Sequence, residues 1–186
     1  MFDGRFRVPV ERAVKPLGNG LRRTRLTPDH LTLVGLVVGA GAGVAIGWGA
    51  LNLGLLLVIL AALPDLLDGA LAKASGSSSQ RGAFFDSVID RITDAFLLGG
   101  VAWFIIKDNP EHPHLGILPV AVLSVSSIIS YERAKAESLG LSAKGGLMER
   151  AERVILLCLG LLFDNLLLPV LWLMLAALLS LANVLG

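Results

Sequence analysis

Six apolar runs dominate this chain, at about residues 31–51, 53–72, 84–106, 115–131, 154–168 and 170–185. Each is close to the ~20 residues that a helix needs to cross a bilayer. The last two are separated only by Asp164, Asn165 and Pro169 and still count as two crossings. An apolar content of 54% and a mean hydropathy of +0.73 exclude an ordinary soluble domain. The expected fold is all-α: an integral membrane bundle of six transmembrane helices.

Charge placement supports this topology. Fifteen of the sixteen Lys and Arg residues fall in three groups, at residues 5–25, 73–91 and 133–153, and only Lys107 lies in a loop on the opposite side. That asymmetry predicts a multi-pass protein of the cell membrane with both termini cytoplasmic. Residues 1–26 carry seven cations among Phe2, Phe6, Val10 and Leu17, and are broken by Pro9 and Pro16. They read as an amphipathic juxtamembrane segment lying on anionic lipid, not as a cleaved signal. Residues 27–186 form the membrane domain. No soluble domain accompanies the basic cluster, so nucleic acid is not an expected partner.

Other residues narrow the chemistry. Cys158 is the only cysteine, which excludes a disulfide framework within one chain. His30, His112 and His114 are too few and too scattered for a zinc site. Gly35, Gly39, Gly43 and Gly47 recur every fourth residue and make one helix face on which another backbone can approach closely. That backbone belongs either to another helix of the chain or to a second copy.

The chemistry-bearing stretch is Asp65-x2-Asp68-Gly69-x2-Ala72-Lys73-x8-Gly82-x3-Asp86-x3-Asp90. Carboxylates are expensive inside a membrane, and four of them at helical spacing call for divalent cations. Asp65 and Asp68 are i, i+3 neighbours, and Asp86 and Asp90 are i, i+4 neighbours, so each pair shares a helix face. Two antiparallel helices can bring the pairs together around one or two ions of the magnesium or manganese type, an arrangement suited to a diphosphate. Gly69, Ala72 and Gly82 leave room beside it. Two other readings are ion pairing with Lys73, Arg81 and Arg91, and a carboxylate-lined path for ions or protons.

This pattern resembles the CDP-alcohol phosphotransferase motif, D-x2-D-G-x2-A-R-x8-G-x3-D-x3-D, in seven of its eight fixed positions. Lys73 stands where that family has Arg, keeping the charge without the bidentate fork. The resemblance implies a six-helix membrane enzyme that transfers a substituted phosphate from a CDP-linked donor to an alcohol and releases CMP, with Mg2+ or Mn2+ as cofactor. It implies that Asp65, Asp68, Asp86 and Asp90 hold metal and that Asp90 is also the catalytic base. It further implies that Gly69, Lys73 and Ser79 contact the donor CDP-diacylglycerol, together with Asp29 and Thr32 at the entry to the first membrane helix. A homodimer is expected on the same ground.

Two further stretches bear on the acceptor. Ser130-Tyr131-Glu132-Arg133-Ala134-Lys135-Ala136-Glu137 and residues 145–153 gather Arg133, Lys135, Arg150 and Arg153. These four cations either anchor helix ends among lipid headgroups, paired with Glu132, Glu137, Glu149 and Glu152, or bind an acceptor that already carries a phosphate. Both stretches resemble the branch of the family that uses inositol 1-phosphate, with Arg133 and Lys135 in swapped order. Glycerol 3-phosphate is the alternative acceptor, and a diacyl or an ether-linked donor lipid fits equally well.

Overall fold

The structure is a computed structural model. It describes the backbone of residues 28–75, 80–141 and 150–163, with Leu166, Val170 and Trp172, and the side chains of these stretches except at 28, 64–75 and 151. The amphipathic segment expected at 1–26 and nearly all of the sixth expected crossing lie outside the described residues.

Five α-helices make up the described part: α1 (Pro28–Gly47), α2 (Leu51–Ser75), α3 (Gln80–Asp108), α4 (Ile117–Ser138) and α5 (Arg150–Leu162), with a 3-10 turn at Pro113–Gly116 before α4. No strand occurs among the described residues. Pro28 opens α1, where its missing N–H costs nothing, and Asp29 adds negative charge at the positive helix end. Gly49 ends it at φ +88°, with Gly49 N–H donating to the Ile46 carbonyl (2.9 Å) and Ala50 N–H to that of Ala45 (2.9 Å). This is a Schellman closure. Gly140, at φ +76°, ends α4 in the same way, with Leu141 N–H reaching the Ala136 carbonyl at 2.9 Å.

Residues 29–47 (mean hydropathy 1.8) and 113–138 (1.6) are long and apolar enough to cross a membrane. In α2 the apolar stretch Leu51–Leu63 comes first, and Asp65, Asp68 and Lys73 lie further along the helix. The polar part of α3 is its first half, with Asp86, Asp90, Arg91 and Asp94. At 25 and 29 residues these helices are about 37 and 43 Å long, more than the ~30 Å of a bilayer's hydrocarbon. Apart from Lys107 and Asp108 at the far end of α3, the charges of both helices gather at the end where the chain passes from α2 to α3.

Helix α1 is the hub, packed on both α2 and α3, while α4 leans on α3 and α5 on α2. The core that joins them includes Ile46, Val58, Val101, Ile105, Val122 and Leu161, all nearly inaccessible. The outer faces stay apolar, as at Val37, Leu56 and Ile128, which suits lipid contact. Trp48 (77% exposed) and Trp103 (56%) stand near the opposite end from the aspartates, where amphipathic rings meet a headgroup layer.

The glycine stripe of α1 packs inside the chain. A Cβ at Gly43 would strike the Phe96 carbonyl of α3, one at Gly100 would strike the Gly43 carbonyl, and one at Gly39 would lie 2.6 Å from Thr93 Cγ2. Of the two readings open in the sequence, the intramolecular one holds for this face.

The helices also depart from the apolar runs at their ends. α3 begins at Gln80, ahead of Phe84, and α4 runs seven residues past Tyr131. Hydropathy marks lipid contact, whereas Glu132-Arg133-Ala134-Lys135-Ala136-Glu137 is a series of good helix formers that extends α4 beyond the apolar part.

Candidate active site

The contacts along α1 set the level of every candidate residue. Against α3 the order is Gly39 with Thr93, Gly43 with Phe96 and Gly100, and Gly47 with Trp103, so the two helices run parallel. Against α2 it is Ile46 with Gly54, Gly41 with Leu57 and Gly39 with Ala61, so these run antiparallel. Continued toward the start of α1, the first register brings Asp86 level with Thr32. The second brings the backbone of Asp68 to the same level and that of Asp65 to the level of Gly35. Both halves of the aspartate motif thus lie in one layer about the first turns of α1. Thr32 is buried in that layer (4% exposed), and Asp29 is exposed one turn before it. Gly69 and Lys73 follow on α2, whose side chains there, like all of Ser79, lie outside the described residues.

Asp86, Asp90 and Asp94 repeat every fourth residue along α3, the first two half-buried and the third buried at 8% exposure. Arg150 of α5 places Nη1 3.0 Å from Asp90 Oδ1 and Nε 3.7 Å from Asp94 Oδ1. Arg153, one turn on, donates from Nη2 to Asp94 Oδ2 at 3.2 Å. Arg91 sits 3.4 Å from Asp94 Oδ2 through its own Nη2 and uses Nη1 to donate to Ser130 Oγ on α4. Three guanidinium groups from two helices therefore meet one carboxylate, with a hydroxyl of a third helix at the edge. Burial lowers the pKa of Arg153 from its ordinary value, opposed by the charge of Asp94.

Not all of the expected cations join this cluster. Arg150 and Arg153 are half-buried in it, while Arg133 and Lys135 are exposed on α4 and, among the described residues, form no ion pair. Arg150 and Arg153 also bind aspartates of α3 rather than standing only as anchors at a helix end. Asp94 and Ser130 were not among the candidate site residues from sequence, and Arg91 was named there only as an ion-pair partner for the aspartates, a role it takes with Asp94. Asp94 was legible as the next member of the i, i+4 series from Asp86 and Asp90. Ser130 is one of a set of α4 serines whose hydroxyls bond back to carbonyls four residues earlier, Ser127 to Leu123 (2.8 Å) and Ser130 to Ser126 (2.9 Å). Only the fold shows that Ser130 also faces Arg91.

A family model described as CDP-alcohol phosphatidyltransferase matches residues 25–184. The chain belongs to the CDP-alcohol phosphatidyltransferase family. Among curated proteins it is 37% identical over 155 residues to the phosphatidylinositol phosphate synthase of Mycobacterium marinum, covering 83% of this chain. The match spans 66% of that relative, about two thirds of its length. The crystal structure of Mycobacterium tuberculosis phosphatidylinositol phosphate synthase with CDP-DAG bound superposes with a TM-score of 0.78 at 30% identity, covering 93% of this chain and 94% of that one. The same enzyme in complex with manganese and citrate gives 0.76 at 30% identity, over 93% and 89%.

As a CDP-alcohol phosphatidyltransferase, the chain is a member of a membrane-associated enzyme family that uses divalent metal. The donors that α3 supplies fit such an ion: Asp86 and Asp90 offer carboxylate oxygens only, at the i, i+4 spacing that lets two ligands of one helix face the same point. In this phosphatidyltransferase the arginine cluster begins directly beside Asp90.

Proposed function

We propose that the chain is a phosphatidylinositol phosphate synthase, transferring the phosphatidyl group of CDP-diacylglycerol to inositol 1-phosphate and releasing CMP. The observation that carries the choice of acceptor is the convergence of Arg91, Arg150 and Arg153 on Asp94, next to Asp90. Three positive charges against the two carboxylates they pair with, Asp94 and Asp90, leave a net positive charge suited to a phosphate and hostile to choline or ethanolamine. Family membership and the names of the relatives support the donor and the reaction. Family membership also sets aside the transporter reading.

In this reading Asp65, Asp68, Asp86 and Asp90 hold Mg2+, with Mn2+ as substitute, and Gly69, Lys73, Ser79, Asp29 and Thr32 line the CDP-diacylglycerol site. The metal would neutralise diphosphate oxygens and stabilise CMP as a leaving group. The remaining work falls to side chains. Arg91, Arg150 and Arg153 hold the acceptor by its phosphate, with the exposed Arg133 and Lys135 completing the approach. That grip brings the acceptor hydroxyl to Asp90, which takes its proton as the oxygen attacks the lipid-bearing phosphorus. The bond from that phosphorus to the bridging oxygen breaks, and the electron pair leaves with CMP. Arg150, 3.0 Å from Asp90 Oδ1, fixes the orientation of the carboxylate; a base so placed works by position rather than by high basicity.

The proposal includes a membrane domain of six crossings at 27–186, a basic interfacial segment at 1–26, both termini cytoplasmic and a homodimer. Since α3 fills the glycine face of α1, the dimer uses another surface.

The test is CMP release by the purified protein in detergent with CDP-diacylglycerol and Mg2+, comparing inositol 1-phosphate, glycerol 3-phosphate, free inositol and no acceptor. Turnover with inositol 1-phosphate alone is expected. Turnover with glycerol 3-phosphate instead would make the chain a phosphatidylglycerophosphate synthase. A rate equal with and without acceptor would defeat both.

A further inference from the structure

Asp94 lies outside the eight-position motif, yet it is the most buried acidic side chain of the cluster and the one residue common to all three arginines. Its neighbour Thr93 pins this turn of α3 from two directions. Thr93 Oγ1 donates to the Ile89 carbonyl at 3.0 Å, and Thr93 Cγ2 fills the space that a side chain at Gly39 would take. The carboxylate is therefore carried on a backbone locked against α1.

The arginines reach it from less constrained places. Arg91 spans Asp94 and Ser130, and Arg150 spans Asp94 and Asp90, so each is held at two points, with Asp94 as the shared one. Without that charge three guanidinium groups would repel one another across a half-buried site, and Arg153 would lose the ion pair that holds it among the described residues.

We infer that Asp94 is a positioning residue for the acceptor: it preassembles Arg91, Arg150 and Arg153 as one phosphate-binding set and ties that set, through Arg150, to Asp90. This rests on the proposed acceptor reading. Asp94 touches neither substrate. Its effect appears in the acceptor's KM because preassembly removes the cost of gathering like charges at the moment of binding.

The experiment compares wild type, Asp94→Asn and Asp94→Glu, titrating inositol 1-phosphate at saturating CDP-diacylglycerol and then the reverse. Asp94→Asn, which keeps shape and loses charge, is expected to raise the acceptor KM by about tenfold or more, the scale of one charge-assisted contact. The donor KM and the Mg2+ concentration for half-maximal rate should stay within about twofold. Asp94→Glu, which keeps the charge and displaces it by one methylene, should recover part of the loss. An unchanged acceptor KM, or acceptor and donor KM rising together, overturns the inference. Should Asp94→Asn fail to fold, Asp94→Glu decides alone: a raised acceptor KM with an unchanged donor KM supports the inference, and no change overturns it. Failure of the acceptor reading is a separate result, because wild type would then show no saturable dependence on inositol 1-phosphate.

Discussion

The two ends of the α1–α3 pair are held by opposite means. Around Gly43 and Gly100 the backbones touch, with no room for a methyl group and no charge nearby. Around Asp90 and Asp94 the same helix α3 carries carboxylates and receives arginines from α5, with sites half open to solvent. The dry end owes its strength to close contact over many atoms, which tolerates no added volume but asks nothing of pH or salt. The charged end can exchange its internal partners for ligands. Geometric precision at the second is supplied by the stiffness of the first, since the register set at Gly39, Gly43 and Gly47 fixes the level of Thr32 and Asp86.

Breaking the charged end should abolish chemistry and spare the fold. Asp90→Asn is expected to lower turnover by about a thousandfold or more, the loss of a positioned base and a metal ligand together. Binding of CDP-diacylglycerol, read by its protection of the folded protein against heat, should be largely retained. Breaking the dry end should do the reverse. Gly100→Ala places a Cβ against the Gly43 carbonyl and should cost about 1–3 kcal/mol of stability, read as a lower unfolding temperature in detergent. The surviving folded fraction should have nearly normal KM values.

Smaller effects sharpen the contrast. Arg153→Gln should raise the acceptor KM by about tenfold and leave the donor KM unchanged; steady-state titration of each substrate measures both, and an unchanged acceptor KM would return Arg153 to an anchoring role. Gly99→Ala should be neutral or slightly stabilising, by at most about 1 kcal/mol, because nothing lies within 4 Å of the Cβ it adds. Equal melting of the Gly99 and Gly100 variants would mean that the seam is not where the dry end gets its strength.

Much of this was legible in the residues. The aspartate spacing gave the family, and the fourfold glycine repeat of α1 predicted a close approach. Gly100, the partner across that approach, was not legible, because a single small residue in α3 looks the same whether it faces a helix or lipid, as its neighbour Gly99 does. The four acceptor cations were equivalent in sequence, and the fold separates them. Arg150 and Arg153 point back at α3, while Arg133 and Lys135 lie on a stretch of α4 whose Ala, Glu, Lys and Arg content encodes helix but no preferred face. Asp94 lies outside the motif, although its spacing from Asp90 repeats that of Asp90 from Asp86. Hydropathy, in turn, marks residues 29–47 and 113–138 as long and apolar enough to span, while in α3 Asp86, Asp90, Arg91 and Asp94 interrupt the apolar pattern.

The shared register along α1 bears on how such a chain can change over generations. Single substitutions in its first turns alter one contact each. Inserting or deleting one residue between Thr32 and Gly39 would instead swing everything before it by about 100° around the helix axis, while Gly39, Gly43 and Gly47 stayed keyed to α3. Thr32 would then turn off the face by which Gly39 packs on both α2 and α3. Length in this short stretch should be far less free to drift than composition.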